Sequence, residues 1–354
     1  MLKLPFYDPE KTYEQNYEDG PFGDFTDGKV FKDKDRPQYS FLGNRVFLPF
    51  GIAAGPLLNG RYVKAAMDKG FDLLTYKTVR TKSYPANEWP NVLAVDVKGD
   101  LGIEQTERGV VGVSNFSEPL AITNSFGVPS YDPDVWQPDL AACVKYAREG
   151  QVVVGSFQGT VNAGGSVRDY VNDFAKAARM VKETGVKIFE VNLSCPNEGS
   201  ANLLCFDLER TREVVYEIKN EIGNMPLIIK IAYFADDEKL KKLVKLVGKT
   251  VDAIEVINAI PAKVYDKDGN QALAGGENRL WAGICGSPIK WAGISSAKRL
   301  KRFREELDMK FTIIGVGGVM EKQDYADYVA AGADAVMSAT GAMWNPYLAQ
   351  EIKN

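Results

Sequence analysis

The chain has 354 residues, of which 45% are hydrophobic and 25% are charged, with a formal net charge of -4. This is globular composition with enough length for a large core, and the acidic balance argues against a nucleic-acid or anionic-membrane surface. No apolar run approaches the roughly 20 residues of a membrane helix, and the polar first residues lack a signal-peptide core. The four cysteines form no CxxC pair, so we expect a reduced, cytoplasmic protein without a metal site.

In chain order, residues 1–45 are rich in Gly, Asp, Lys and Pro with scattered aromatics. They predict an irregular N-terminal extension that packs its aromatics on the body or on a partner, with no catalytic role. From residue 46, strand-like apolar runs alternate with helix-period stretches such as 167–185 and 207–223. The eight runs span 49–55, 71–79, 151–159, 187–194, 226–232, 253–260, 311–318 and 334–341.

Alternation of strands and helices predicts parallel pairing with crossover helices, and eight strands close a (β/α)8 TIM barrel over 46–354. A doubly wound open sheet is the alternative, but no GxGxxG follows an early strand. Long insertions interrupt the alternation at 80–150 and 261–293. Both follow the C-terminal end of a strand, so we expect loops that form lids or substrate walls on the catalytic face.

Two glycine-rich or small-residue loops follow the last two runs, "GVGGV" at 315–319 and "SATGAMW" at 338–344. Loops after strands seven and eight are the usual phosphate cradle of a barrel, because glycine lets backbone N–H groups approach an anion. Tight turns alone would also use glycine here. The ordinal positions favour a bound nucleotide or phosphorylated cofactor.

Lys77 and Lys230 lie inside apolar runs, where an ammonium group needs a partner. Each forms either a structural ion pair or a contact with an anionic ligand at the barrel mouth, and two such lysines favour the ligand. Carboxamides also gather at strand ends and suit a planar ring with alternating C=O and N–H groups. They are Asn124, Asn192, Asn197 and Asn258.

The chain contains no histidine, so a general base must come from a carboxylate, lysine, tyrosine or cysteine. Cys195 directly follows a predicted strand end and is the candidate base. Cys143 and Cys205 lie in helix-like stretches and are expected to be packing residues. Cys285 lies in a predicted strand-end loop near the cofactor.

Several motifs together resemble the dihydroorotate dehydrogenases, in matching order from residue 49 to 353. They are "GIAAGPLLNG", "YKT", "TNSFGVPS", "NLSCPN", "IIKIAYF", "INAI", "GICGSPIK", "IIGVGGV" and "SATG". The cysteine in "NLSCPN" resembles the soluble class 1 enzymes, because class 2 enzymes have a serine there and an N-terminal membrane helix.

The resemblance implies an FMN-binding barrel that oxidises dihydroorotate to orotate in pyrimidine biosynthesis. Cys195 would take the C5 proton while a hydride passes from C6 to FMN. The expected substrate-binding residues are Lys77, Asn124, Phe126, Gly127, Val128, Asn192, Asn197 and Asn258. The expected FMN-binding residues are Ala53, Ala54, Gly55, Lys77, Thr78, Asn192, Lys230, Ile257, Gly286, Gly317, Gly318, Ala339 and Thr340.

Phe126, Ala259 and Ala339 depart from the family pattern, in which methionine, serine and glycine are usual. We expect fumarate as the electron acceptor and a homodimer, because the chain has neither a Rossmann fingerprint nor a cysteine cluster. The alternatives are an NAD-linked form that needs an electron-transfer subunit with FAD and an iron–sulfur cluster, a dihydropyrimidine dehydrogenase-like subunit, and a non-catalytic flavin-binding scaffold.

Overall fold

The structure, a computed structural model, describes residues 2–161, 164–194 and 203–354. The strands of this part are β1 (Tyr39–Phe41), β2 (Asn44–Val46), β3 (Phe50–Ile52), β4 (Leu73–Val79), β5 (Ala94–Asp96), β6 (Val110–Val113), β7 (Ala121–Asn124), β8 (Val152–Phe157), β9 (Ile188–Asn192), β10 (Leu227–Ile231), β11 (Ala253–Val256), β12 (Ile260–Tyr265), β13 (Trp281–Gly286), β14 (Thr312–Val316) and β15 (Ala335–Ser338). Its α-helices are α1 (Tyr13–Asp19), α2 (Gly60–Asp68), α3 (Ile103–Arg108), α4 (Pro133–Tyr146), α5 (Val167–Glu183), α6 (Leu208–Ile222), α7 (Asp237–Val247), α8 (Lys290–Glu306), α9 (Lys322–Ala331), α10 (Thr340–Trp344) and α11 (Leu348–Lys353). Among the described residues, none of these helices is both long and apolar enough to cross a bilayer.

Eight strands close a parallel barrel in the order β10, β11, β14, β15, β3, β4, β8, β9. Each of the eight predicted apolar runs contains one of them, so the predicted TIM barrel is confirmed. Crossover helices α2 and α4 to α9 connect successive strands. Residues 167–185 and 207–223 supply α5 and α6, and Gly223 ends α6 with a φ of 65°, a backbone conformation that suits glycine.

Side-chain alternation along the strands sorts the barrel interior into layers, because residues i and i+2 share a face. In β9, Ile188 lies among aliphatic residues near the barrel's lower end, whereas Glu190 and Asn192 lie towards the mouth. The hairpin of β1 and β2 adds Phe41 and Val46 to that aliphatic layer. The lower end is therefore filled by apolar packing, and polar groups collect at the other end.

The two insertions fold into a second small sheet instead of the expected loops. Strands β12, β13, β7, β5 and β6 close in that order, with Asn124 of β7 opposite Gly283 of β13. Only the β12–β6 pair is parallel among these strands of the described chain. The β12–β6 and β13–β7 pairs join the two insertions, which are far apart in sequence, so the edges of each insertion are covered by the other. Cys285, expected in a loop, lies within β13.

The N-terminal segment contains the α-helix α1 and a short 3-10 helix, Gly23–Thr26, before the hairpin. Thr12 and Gln15 form a capping box at the start of α1, each side chain bonding the other's backbone N–H. The buried Asn16 side chain donates hydrogen bonds to the Asp8 and Thr12 carbonyls, both at 2.9 Å. These contacts hold residues 8–16 together as one folded unit.

Candidate active site

A pocket opens at the C-terminal ends of the barrel strands, between the barrel, the small sheet and the N-terminal segment. It encloses about 1120 Å³ of empty space, including the part open to solvent. Barrel residues, small-sheet residues and two N-terminal tyrosines line it together. This is the face on which barrel enzymes carry their active sites.

Most of the residues predicted from the sequence line this one pocket. From the predicted substrate set it includes Lys77, Asn124, Phe126, Gly127, Val128, Asn192 and Asn258. From the predicted cofactor set it also includes Ala53, Ala54, Gly55, Thr78, Lys230, Ala339 and Thr340. The catalytic candidate Cys195 and Asn197 lie outside the described residues.

Four predicted cofactor residues lie off the lining of this pocket. Gly318 lines a separate cavity with Gly341. Gly317 and Ile257 lie close to each other, since a Cβ on Gly317 would come 3.4 Å from the Ile257 side chain. A Cβ on Gly286 would come 2.1 Å from the Leu120 carbonyl oxygen. The close approach of the Leu120 backbone, in the first insertion, therefore explains why residue 286 is a glycine.

Two of the predicted carboxamides meet directly. The Asn258 amide nitrogen donates to Asn192 Oδ1 at 3.3 Å and to Ser194 Oγ at 3.0 Å. The backbone N–H of Ser194 donates to the same Asn192 oxygen at 3.2 Å. Asn124 faces the pocket from β7, on the small sheet. Carboxamides from the barrel and from the small sheet thus border one space.

A row of buried polar and charged side chains, the polar floor, runs beneath the pocket through Thr78, Ser156, Glu190, Glu255 and Lys230. The Thr78 and Ser156 hydroxyls are 2.9 Å apart, and Ser156 Oγ donates to Glu190 Oε1 at 2.7 Å. Lys230 Nζ lies 2.8 Å from Glu255 Oε1. Both carboxyl groups are fully buried. The two ends of the row, Thr78 and Lys230, line the pocket itself.

The charged groups of the floor influence one another because they are buried and close together. Burial, followed by the neighbouring Glu255 charge, raises the pKa of Glu190 well above its ordinary value. Burial lowers the pKa of Lys230, but Glu255 and Glu190 outweigh it and the net pKa is raised. The raised pKa of Lys230 favours its charged form beside Glu255, and the raised pKa of Glu190 favours its protonated form.

Comparison with known proteins identifies the family. The dihydroorotate dehydrogenase family model matches residues 112–354. The chain is also 35% identical to dihydroorotate dehydrogenase of Dictyostelium discoideum, over 100% of this chain and 98% of that protein. The chain belongs to the dihydroorotate dehydrogenase family. The prediction of a dihydroorotate dehydrogenase is thereby confirmed.

More distant members of the dihydroorotate dehydrogenase family differ in their named acceptors. The catalytic subunit of dihydroorotate dehydrogenase B (NAD(+)) from Thermodesulfovibrio yellowstonii is 25% identical over 67% of this chain and 72% of that subunit. The quinone enzyme of Pseudarthrobacter chlorophenolicus is 27% identical over 86% of this chain and 80% of that enzyme. A ligand-free DHODH structure from Eimeria tenella superposes with a TM-score of 0.69 at 18% sequence identity. The match covers 92% of this chain and 88% of the Eimeria chain, and it supports the barrel fold.

Sequence reasoning predicted Phe126 in the site of this family member but missed the two tyrosines beside it, Tyr7 and Tyr13. Tyr7, Tyr13 and Phe126, here called the aromatic wall, line one side of the pocket. The Tyr7 and Phe126 rings are edge-to-face with centroids 5.3 Å apart, and the Tyr13 and Phe126 centroids are 6.2 Å apart. Lys77 Nζ lies 5.3 Å from the centre of the Tyr13 ring. The capping-box pattern "TYEQ" was the local signal that this segment is ordered.

The floor acids were also missed, although their signal was present. Glu190 and Glu255 each lie within a run of apolar residues, as Lys77 and Lys230 do. The rule that a buried charge needs a partner applies equally to a carboxylate and to an ammonium. Applied to both signs of charge, it predicts that these acids face the lysines inside the barrel.

Proposed function

We propose that the chain is a class 1, FMN-dependent enzyme that oxidises dihydroorotate to orotate, with fumarate as the electron acceptor. The observation that carries this proposal is the single pocket bordered by three carboxamides and two lysines. Asn124, Asn192 and Asn258 offer the donors and acceptors that a pyrimidine ring requires. Lys77 offers a cation for the substrate carboxylate.

The residues at the pocket fit an anionic, planar cofactor. Lys230 would lie beside the pyrimidine portion of FMN, because it lines the pocket and the nearby acids raise its pKa, which favours the charged ammonium. Gly55 leaves open space where a side chain would begin, and Ala53 and Ala54 beside it are small. Ala339 and Thr340 would border the phosphate, with Gly317 and Gly318 in the neighbouring loop. When bound, FMN supplies the two-electron chemistry that these side chains lack.

Cys195 is the proposed base that takes the C5 proton. Burial raises the pKa of the Cys143, Cys205 and Cys285 thiols to about 12, so none of these three is an effective base near neutral pH. The chain reaches Cys195 directly after Ser194, which is hydrogen-bonded to Asn192 and Asn258. This connection supports Cys195 as the thiol next to the substrate ring.

Fumarate is favoured because the sequence contains neither a GxGxxG fingerprint nor a cysteine cluster with which to pass electrons to NAD. The NAD-linked relatives keep the alternative open, in which a second subunit carries FAD and an iron–sulfur cluster. We also propose a homodimer located in the cytoplasm, as in the soluble enzymes that the motifs resemble.

The test is anaerobic mixing of the FMN-loaded full chain with dihydroorotate, followed in the visible absorption band of the flavin. The wild-type flavin should bleach, and Cys195→Ala should slow bleaching by roughly 10²–10⁴-fold while FMN stays bound. Cys205→Ala, which removes a buried thiol outside the pocket, is the matched control and should bleach at the wild-type rate.

Each failure has a separate meaning. A wild-type protein that holds FMN and does not bleach contradicts the proposed reaction. Wild-type bleaching with an equally fast Cys195→Ala variant removes only the cysteine from the mechanism. If the bleached enzyme is not reoxidised by fumarate, the acceptor proposal fails and the two-subunit form takes its place.

A further inference from the structure

The N-terminal segment is part of the pocket. Tyr62 Oη on α2 donates to the Asn16 carbonyl at 2.6 Å, and the Phe6 N–H donates to the Met343 carbonyl on α10 at 2.9 Å. Trp89 Nε1, from the first insertion, donates to the Pro9 carbonyl at 3.1 Å. Three separate elements around the mouth therefore hold this segment in place.

Tyr13 is the residue of this segment that meets a charged group of the site. Its side chain is 4% exposed and lines the pocket. Lys77 comes from β4, distant in sequence, and its ammonium lies within the range of a cation–π contact with the ring. Lys77 Nζ also donates to the Pro129 carbonyl at 3.3 Å. A tyrosine ring and a carbonyl oxygen together limit where the long lysine side chain can point.

We infer that Tyr13 is a positioning residue that holds the Lys77 ammonium where a carboxylate of the pocket ligand binds. The inference deepens the proposed function and depends on it for the identity of that ligand as a pyrimidine carboxylate. An aromatic face attracts the ammonium without bringing a negative charge, which would compete with the ligand. The ring is also rigid, so it fixes the lysine at little entropic cost.

The pocket's other lysine shows the contrasting arrangement. Lys230 Nζ pairs with the Glu255 carboxylate at 2.8 Å inside the polar floor. A carboxylate partner offsets part of the lysine's own positive charge. Tyr13 gives Lys77 a contact that adds no charge, which suits direct pairing with a carboxylate.

The experiment measures orotate binding to the FMN-loaded full chain through the change that orotate causes in flavin absorption. Tyr13→Phe keeps the ring and should bind orotate within about twofold of wild type, whereas Tyr13→Leu should bind about tenfold more weakly. Tyr146→Leu is the matched control: the Tyr146 ring on α4 lies 5.6 Å from Lys64 Nζ, also a cation–π contact, but off the pocket lining. Its orotate affinity and the FMN affinity of all variants should stay at the wild-type value.

A double-mutant cycle tests the route of the effect. In a Lys77→Met background, Tyr13→Leu should cause no further loss of orotate affinity, because Tyr13 acts through that lysine. Pentafluorophenylalanine at position 13 keeps the shape of phenylalanine and reverses the ring's attraction for a cation. The variant with this residue should also bind orotate about tenfold more weakly than Tyr13→Phe. It replaces Tyr13→Leu in the test if the leucine variant does not fold.

Three results would overturn the inference: wild-type orotate affinity in Tyr13→Leu, full additivity with Lys77→Met, or equal affinity for the two phenylalanine analogues. A wild-type protein that binds FMN but no orotate is a different outcome. It contradicts the proposed substrate rather than the role of Tyr13.

Discussion

The polar floor and the aromatic wall border the same pocket but are held together by different forces. The floor consists of strand side chains inside the barrel, joined by one ion pair and by hydrogen bonds of 2.7 to 2.9 Å. The wall combines Tyr7 and Tyr13 with Phe126 through ring contacts. The floor is built into the barrel, whereas the wall depends on docking of an N-terminal segment.

Floor and wall residues therefore contribute to the site in different ways. Floor residues set the charge beneath the pocket, and a change there also affects the free energy of unfolding of the barrel. Wall residues set the position of Lys77, and a change there should alter ligand affinity with less effect on the barrel. The following variants test this division from either side.

Lys230→Met should produce the largest effect, because it leaves two buried carboxyl groups without their cation. We expect the free energy of unfolding of the flavin-free protein to fall by about 3–5 kcal/mol in denaturant titrations at neutral pH. Lys263→Met is the control, because its partner Glu107 is 3.2 Å away on the surface and such pairs contribute at most about 1 kcal/mol. Equal losses in the two variants would show that the floor is not a buried charge cluster.

Glu190→Gln should change the pH dependence of stability. The ordinary pKa of Glu190 is 4.5 in the unfolded chain and well above this in the fold, so the folded state holds the extra proton. At pH values between the unfolded and the folded pKa of Glu190, the free energy of unfolding falls as pH rises. This group contributes up to about 1.4 kcal/mol per pH unit to that fall. The variant should lose this component between pH 5 and 7.

Denaturant titrations at several pH values measure that slope. Glu217→Gln makes the same substitution at a surface carboxylate, which pairs with Arg168 at 2.8 Å, and controls for the change of glutamate to glutamine. A Glu190→Gln slope that matches the wild-type slope would mean that the floor holds no extra proton.

Asn16→Ala should produce the smallest change in stability and act on the wall alone. The variant loses the hydrogen bonds to Asp8 and Thr12, which should cost about 1–2 kcal/mol. Hydrogen exchange should speed up in residues 7–20 and stay unchanged in the barrel strands. Asn44→Ala, which removes one bond of 3.1 Å to the Leu42 carbonyl, should leave that segment protected. Faster exchange throughout the barrel would contradict the separation of wall and floor.

The sequence predicted the parts of the molecule whose pattern is local. Barrel strands such as β9 and β10 are apolar runs bounded by turns, and the mouth-facing Asn192 and Lys230 stand out within them. Strand periodicity then fixes which way such side chains point. This is why most of the predicted lysines and carboxamides line one pocket.

The small sheet and the wall could not be predicted in the same way. Strand β5 has three residues, and its partners β6 and β7 come from the same insertion while β12 and β13 come from another. A short strand carries little pattern, and pairing between distant insertions is not encoded locally. Tyr13 likewise reaches Lys77 only through tertiary docking, so its role has no local sequence signal.

The most direct test of the account is a crystal structure of the full chain with FMN and orotate bound. We expect both ligands in the one pocket, with Lys230 beside FMN, the orotate carboxylate on Lys77, and the Tyr13 ring against the Lys77 ammonium. Orotate bound elsewhere, or a carboxylate that contacts neither Lys77 nor its surroundings, would contradict the account.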